Sequence, residues 1–430
     1  MFIIYDLIFL IFVTFYLPLY LFKKKFHPGF SLRLGFLPKD LELNRPIWIH
    51  AVSVGEAMAI RLLIEQLRDI YPNKKFVIST VTPTGNKIVK SIAREVDFVT
   101  YLPLDFSFIV RTVLDRINPC AFIIAETEIW PNLISYLYRK KIPVITVNGR
   151  ISDASFKGYI AVNFLIKRIM RKISIFCLQT ERDANRFKAL GVAEEKIKVT
   201  GNMKFDATPA CRQAGITTDK KRTDGTDLKE SLGLKSEDKV FIAASTHPGE
   251  EEIILNVYKK LWKEFPNLNL IIAPRHPERS KQVGKTVSKY IFCSQFISSF
   301  SRPSIACATK SVFILDVIGR LIDFYSIADI VFVGGSFIKK GGHNILEPAS
   351  LAKPVMFGPH MFNFRDIADL FLSNKAAILV NDEEEIKTKI AYLLNNPSAA
   401  AELGENAKQL IQENCGATKR NLEFIRKFVV

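Results

Sequence analysis

The six cysteines of this 430-residue sequence stand singly, at Cys120, Cys177, Cys211, Cys293, Cys307 and Cys415, with no CxxC pair among them. That spacing argues against a zinc ribbon and against a secreted disulfide framework. Those inside apolar runs such as PCAFII and SIFCLQ read as buried packing residues of a reducing compartment. No GxxxxGK[ST] occurs, so a P-loop ATPase is unsupported. No GxGxxG follows the first strand-like run, so a dinucleotide fingerprint is missing as well. The six histidines form no HExxH or other metal pattern. Low-complexity tracts are absent and 48% of residues are apolar, which rules out collagen-like and wholly disordered classes.

What is present begins with charge. Lys and Arg number 60 against 43 Asp and Glu, a formal net charge of +17. Residues 1–206 carry +12 of this and residues 207–430 carry +5. The first half therefore suits a polyanion, whether nucleic acid, anionic lipid or a phosphorylated substrate. At roughly 100–200 residues per domain, the length allows two or three domains.

Residues 2–22, FIIYDLIFLIFVTFYLPLYLF, contain one charge, Asp6, near the outer end. About 20 apolar residues cross a ~30 Å hydrocarbon core. Lys23, Lys24 and Lys25 follow, a positive-inside signal that puts the rest of the chain in the cytoplasm. The segment reads as an uncleaved single-pass anchor, residues 1–25, in the cell inner membrane. No basic region precedes it and no small-residue cleavage site follows, which speaks against a signal peptide.

Beyond the anchor, short apolar runs alternate with amphipathic stretches. The runs PIWIHAV, KFVISTV, AFIIAE, PVITVN, ISIFCLQ and KIKVTG predict the strands of one unit, 26–206. A polar, turn-rich joint, 207–238, separates it from a second series over 239–430: VFIAAS, LNLIIAP, SVFILD, IVFVGG, KPVMFG and AAILVN. Continuously apolar strands alternating with helices specify parallel sheets covered on both faces. The expected architecture is α/β, with two doubly wound, Rossmann-like domains facing a cleft. In such sheets ligands bind beyond the carboxyl ends of the strands.

Chemistry-bearing residues collect at those ends. Five histidines, His50, His247, His276, His343 and His360, lie at or just after a strand-like run. Glu56, in Ser53-Val54-Gly55-Glu56, opens a helix after a strand; it can accept a proton or simply complement the helix dipole. Glu126 ends the run AFIIAE, where a charge needs a partner, so a structural ion pair is the alternative to a catalytic role. Lys204 closes the last run of the first half and can neutralise a phosphate or carboxylate, or stay solvated. In the second half, Pro274-Arg275-His276 ends a strand with an anion clamp. Gly334-Gly335-Ser336 and Gly341-Gly342-His343-Asn344-Ile345-Leu346-Glu347 offer backbone amides for a phosphate and a carboxylate for ribose hydroxyls, or ordinary tight turns. A nucleotide-sugar site is the best physical reading.

The motifs WIHAVSVGE, TVTPTG, YLPLD, ETEIWPN, NGRIS, TGNMKFD, STHPGEE, PRHPER, FVGGS, GGHNILEP and GPHMFNF, in that order, resemble those of the 3-deoxy-D-manno-octulosonic acid (Kdo) transferases of lipopolysaccharide assembly. The resemblance implies a GT-B glycosyltransferase fold behind an N-terminal transmembrane helix. It implies transfer of Kdo from CMP-Kdo to the tetraacylated lipid A precursor, with inversion and without a metal or cofactor. It places the proton acceptor at Glu56 and transition-state stabilisers at Glu126 and Lys204. It puts CMP contacts at Pro274 and Arg275, at Ile318, Gly319 and Arg320, and at Asn344, Ile345, Leu346 and Glu347. The sequence departs from the family at Arg320, where an acidic residue is usual, and at Leu32-Arg33, where a Glu-Arg pair is usual. The implied partners are CMP-Kdo, the lipid acceptor and an anionic membrane surface. Residues 156–173, FKGYIAVNFLIKRIMRKI, suit such a surface, or else a core helix with a basic edge. Nucleic acid is not expected, because the basic residues do not interleave with aromatics in any known module. Another GT-B enzyme using a UDP-sugar is the rival reading.

Overall fold

Strands that are apolar on both faces need cover on both sides, and in the first unit they receive it. Trp48, Phe122, Val144 and Phe176 pack into one core layer, while their neighbours Ile47, Ile49, Ile123, Ile145 and Ile175 pack into the opposite one. The computed structural model describes residues 5–11, 13–15, 29–213, 225–290, 293–297, 311–317 and 319–429. The first sheet comprises β1 (Ile47–His50), β2 (Phe76–Thr80), β3 (Phe98–Tyr101), β4 (Ala121–Ala125), β5 (Val144–Gly149), β6 (Ile175–Leu178) and β7 (Ile197–Val199). Its order is β3-β2-β1-β4-β5-β6-β7, parallel throughout. The order reverses between β1 and β4, as in Rossmann sheets.

A second parallel sheet holds β8 (Lys239–Thr246), β9 (Leu268–Pro274), β10 (Cys293–Ile297), β11 (Ser311–Leu315), β12 (Ile330–Val333), β13 (Val355–Phe357) and β14 (Ile378–Leu379). Its order is β10-β11-β9-β8-β12-β13-β14. Here the winding direction changes between β8 and β12. Phe241, Ala243, Leu270, Ile272 and Phe332 pack against Ile254, Leu255, Tyr258 and Leu261 of the long helix Glu250–Glu264.

The two units divide differently from the sequence boundaries. One is Met1–Ala207 with Asn414–Val430, the other Thr208–Glu413. The expected second domain, 239–430, therefore ends early, because its final helix, Ala417–Ile425, belongs to the first unit. Asp206 accepts from the amide of Gly416 at 2.7 Å and from that of Thr418, and Ala417, Leu422, Ile425 and Val429 enter the first core. The joint 207–238 contains helices Pro209–Gln213 and Gly225–Ser231, with 214–224 outside the described residues. Cys120 and Cys177 are buried free thiols, as expected of packing residues. Much of the anchor run 2–22, with Lys23–Lys25, also lies outside the described residues; among those described, no helix is long and apolar enough to cross a membrane.

Candidate active site

In each unit the polar residues gather where the strand order reverses. After β1, Ser53 caps the helix Val54–Ala59, its Oγ accepting from the Glu56 amide. The Glu56 carboxylate turns back on the same loop, accepting from the Val52 amide at 2.7 Å and the Ser53 hydroxyl at 2.9 Å. This variant of the capping box, in which the carboxylate reaches the amide before the N-cap, holds the carboxyl at a helix N-terminus. Burial, followed by the negative charge of Glu126, raises its pKa to about 7, and these outweigh the two hydrogen bonds and Lys204, which act in the opposite direction. A carboxyl so tuned can take a proton near neutral pH.

Glu126 follows β4 in a left-handed conformation, φ 58°, with its amide bonded to the Val147 carbonyl. Its two oxygens hold Lys204 Nζ at 3.3 Å and Arg150 Nε at 3.0 Å. The ion pair weighed from sequence is therefore formed, and it brings Glu126 and Lys204 into contact. Asn148, at the end of β5, steadies the Lys204 loop by accepting from the Met203 amide. Arg150 was not singled out from the sequence, although it lies just beyond β5, where the strand-end rule points. Glu128 was also missed. Burial, with the charge of Glu56 next, raises its pKa to about 7 as well, so it belongs to the same acidic group. Removing that charge in Glu128→Gln favours ionised Glu56. The acid limb of the pH–rate profile should then move to lower pH, by a few tenths to about one unit. An unmoved or raised limb would separate the two carboxyls.

His50 is a correction to the histidine pattern. It is fully buried, Nδ1 bonded to Ser79, and burial lowers its pKa to about 3; it is a neutral core residue.

In the second unit, His247 follows β8 and His343 lies beyond β12. Their rings stack with Nε2 atoms 2.9 Å apart, so only one of the two can donate, and at least one ring is neutral. Burial, followed by His276, Lys340, Arg279 and Arg275, lowers His247 to about 4, and burial, followed by Arg275, His247 and His276, lowers His343 to about 3. Asn344 accepts from the Leu346 amide and donates to Glu347 at 3.2 Å; burial raises the Glu347 carboxyl. Arg275 is exposed just past the end of β9. Arg320 instead pairs with Asp323 on its own helix at 3.2 Å, next to the exposed Gly319, while Ile318 lies outside the described residues.

The glycine turn differs from expectation. The amides of Gly335, Ser336 and Phe337 donate to the fully buried Glu250, at 2.7, 3.1 and 3.0 Å, and so does that of His247 at 3.0 Å. An internal carboxylate thus fills the place expected for a ligand phosphate.

Two Rossmann-like parallel sheets, one with an acidic group beyond its switch point and the other with a neutral histidine pair there and Arg275 beyond the next strand, give the architecture of GT-B glycosyltransferases. A crystal structure of UDP-N-acetylglucosamine 2-epimerase shares this fold, with a TM-score of 0.59 at 12% identity over 90% of this chain and 96% of that one. A family profile described as 3-Deoxy-D-manno-octulosonic-acid transferase (kdotransferase) matches residues 29–207. The 3-deoxy-D-manno-octulosonic acid transferase of Haemophilus influenzae is 35% identical over 89% of this chain and 87% of its own length. That of Chlamydophila psittaci is 30% identical over 96% and 93%. The chain belongs to the Kdo transferase family and is a glycosyltransferase.

Proposed function

We propose that the protein transfers Kdo from CMP-Kdo to a hydroxyl of the tetraacylated lipid A precursor, with inversion and without a metal, at the cytoplasmic face of the inner membrane. Glu56 carries the reading: it is a carboxyl fixed by its own cap and poised to ionise near pH 7. It takes the acceptor proton as the acceptor oxygen bonds to the anomeric carbon. The bond from that carbon to the phosphate oxygen breaks, and its electron pair leaves with CMP. Lys204 and Arg150, held on Glu126, stabilise charge at the reacting centre. Arg275 and Lys340 offset the charge of the leaving phosphate, the neutral His247–His343 pair offers it a hydrogen bond, and Asn344 and Glu347 hold the nucleoside.

The stretch 156–173 supports the lipid acceptor. It divides into helices Asp153–Ala161, which has no buried residue, and Asn163–Met170, which buries Ile166, Ile169 and Met170. Ile160, Val162 and Phe164 are exposed, Phe164 by 84%, among Lys157, Lys167, Arg168 and Arg171. The buried side is the core-packing helix read from sequence, and the exposed apolar and basic side chains are what docking on an anionic surface would use.

Incubation with CMP-Kdo and the lipid A precursor should add Kdo to the lipid, read by product mass. CMP should bind at least about tenfold more tightly than UDP. Equal or preferential UDP binding, with no Kdo added, would favour the UDP-sugar alternative.

A further inference from the structure

The single charge in the N-terminal apolar run is bound to the globular unit. Residues 5–11 and 13–15 are helical. The Asp6 carboxylate accepts from the Ser107 amide at 3.0 Å, from the Ser107 hydroxyl, and from Asn132 Nδ2 at 2.7 Å. Ser107 and Asn132 each lie in the first turn of a helix, Ser107–Ile117 and Pro131–Arg139, where amide dipoles favour an anion. Beside this clasp the Tyr5 hydroxyl bonds Asp105, and the Phe9 ring meets Phe106 edge-on at 4.9 Å. Beyond the run, from Gly29 onward, the chain is fastened to the same unit. Gly29 lies against the Tyr101 ring so closely that a Cβ would come within 2.0 Å of it. Arg33 donates to the Leu102 carbonyl at 3.2 Å and accepts from the Leu104 amide at 2.8 Å.

These attachments constrain topology. One crossing of a ~30 Å core takes about 20 helical residues. Residues 7–28 suffice for one crossing and not for crossing and returning. With both Asp6 and Gly29 on the globular unit, the run begins and ends on the same side of a bilayer.

The side turned away from the unit is apolar: Leu7, Ile8, Leu10, Ile11 and Phe15 are 50–77% exposed. The patch continues through the Phe106–Phe108 stack to Phe108, 67% exposed. Lys23, Lys24 and Lys25 follow it in sequence, a complement to anionic headgroups. We propose that the N-terminal helix is a one-leaflet anchor, laid in the plane of an anionic membrane and clasped by Asp6 to the helix N-termini at Ser107 and Asn132. This replaces the single-pass topology expected from hydropathy. It rests on the proposed membrane attachment and is independent of the reaction proposed.

The test is protease access to an epitope tag at the N-terminus, with a second tag at the C-terminus as the reference. In intact spheroplasts both tags should survive, and in inverted membrane vesicles both should be cut. An N-terminal tag cut in intact spheroplasts while the C-terminal one survives would overturn the proposal. So would recovery of the chain in the soluble fraction. Kdo transfer measured on the same vesicles reads the reaction separately: its loss with both tags inside sinks the reaction and leaves the topology standing.

Discussion

Glu56→Gln should lower kcat for Kdo transfer by about 10²–10⁴-fold, the range contributed by a positioned general base. The substitution is nearly isosteric. A Gln at this position keeps an oxygen for the Val52 amide and leaves Ser53 to cap the helix, so the fold should lose no more than about 1 kcal/mol. CMP binding, read by titration, should be unchanged, since the residues proposed to hold the nucleotide lie in the other unit. The wild-type profile supplies an independent check. With a pKa of about 7, the base is protonated and idle at low pH. The rate should therefore fall about tenfold per unit below pH 7 and level off above it. Burial is the leading cause of the raised value and Glu126 the second, so the limb should survive in Glu56→Asp but vanish in Glu56→Gln. Full activity in Glu56→Gln would remove Glu56 from the chemistry and leave it a helix cap.

Central strands were legible because burial on both faces demands continuous apolar residues, as in AFIIA of β4 and VFIAA within β8. Two strands escaped, β3, FVTY, and β10, CSQFI, each at one edge of its sheet, while the opposite edges, β7 and β14, kept enough apolar residues to be read. An edge strand has one neighbour and less cover, so polar residues are tolerated and the periodic signal fades. The place of 417–425 was equally hidden. Nothing local marks that helix as a partner of the first sheet; its attachment depends on Asp206, more than 200 positions earlier in sequence. At the site, Glu56, Glu126 and Lys204 could be read because the strand-end rule locates side chains without knowing their partners. Arg150 obeyed the same rule and was passed over. The His247–His343 stack could not be read, since it requires β8 and β12 to be neighbours.

Glu250→Ala should destabilise the second unit more than any single change at the residues proposed to hold the nucleotide. The Glu250 side chain has no exposed surface and accepts from four amides, His247, Gly335, Ser336 and Phe337. Burial pushes its carboxyl upward and those amides oppose the shift. Deleting the carboxylate leaves the amides facing one another without an acceptor, at about 1–3 kcal/mol for each buried group that water cannot reach. With partial relaxation, the loss should be about 3–5 kcal/mol, or roughly 6–20 °C in the melting of a unit of this size. Glu250→Gln should restore only part of this, because its NH₂ presents donors to donors. The glycines make the turn depend further on this residue. Gly335 has φ 68°, and a Cβ there would meet the His343 ring at 2.9 Å, so the turn and the histidine pair share one tight space. Loosening the turn should therefore weaken CMP binding at least about tenfold, a change of 1.4 kcal/mol, while the acidic group around Glu56 keeps its pH limb. A melting temperature within about 2 °C of wild type, with CMP affinity intact, would show that water or another group replaces the carboxylate.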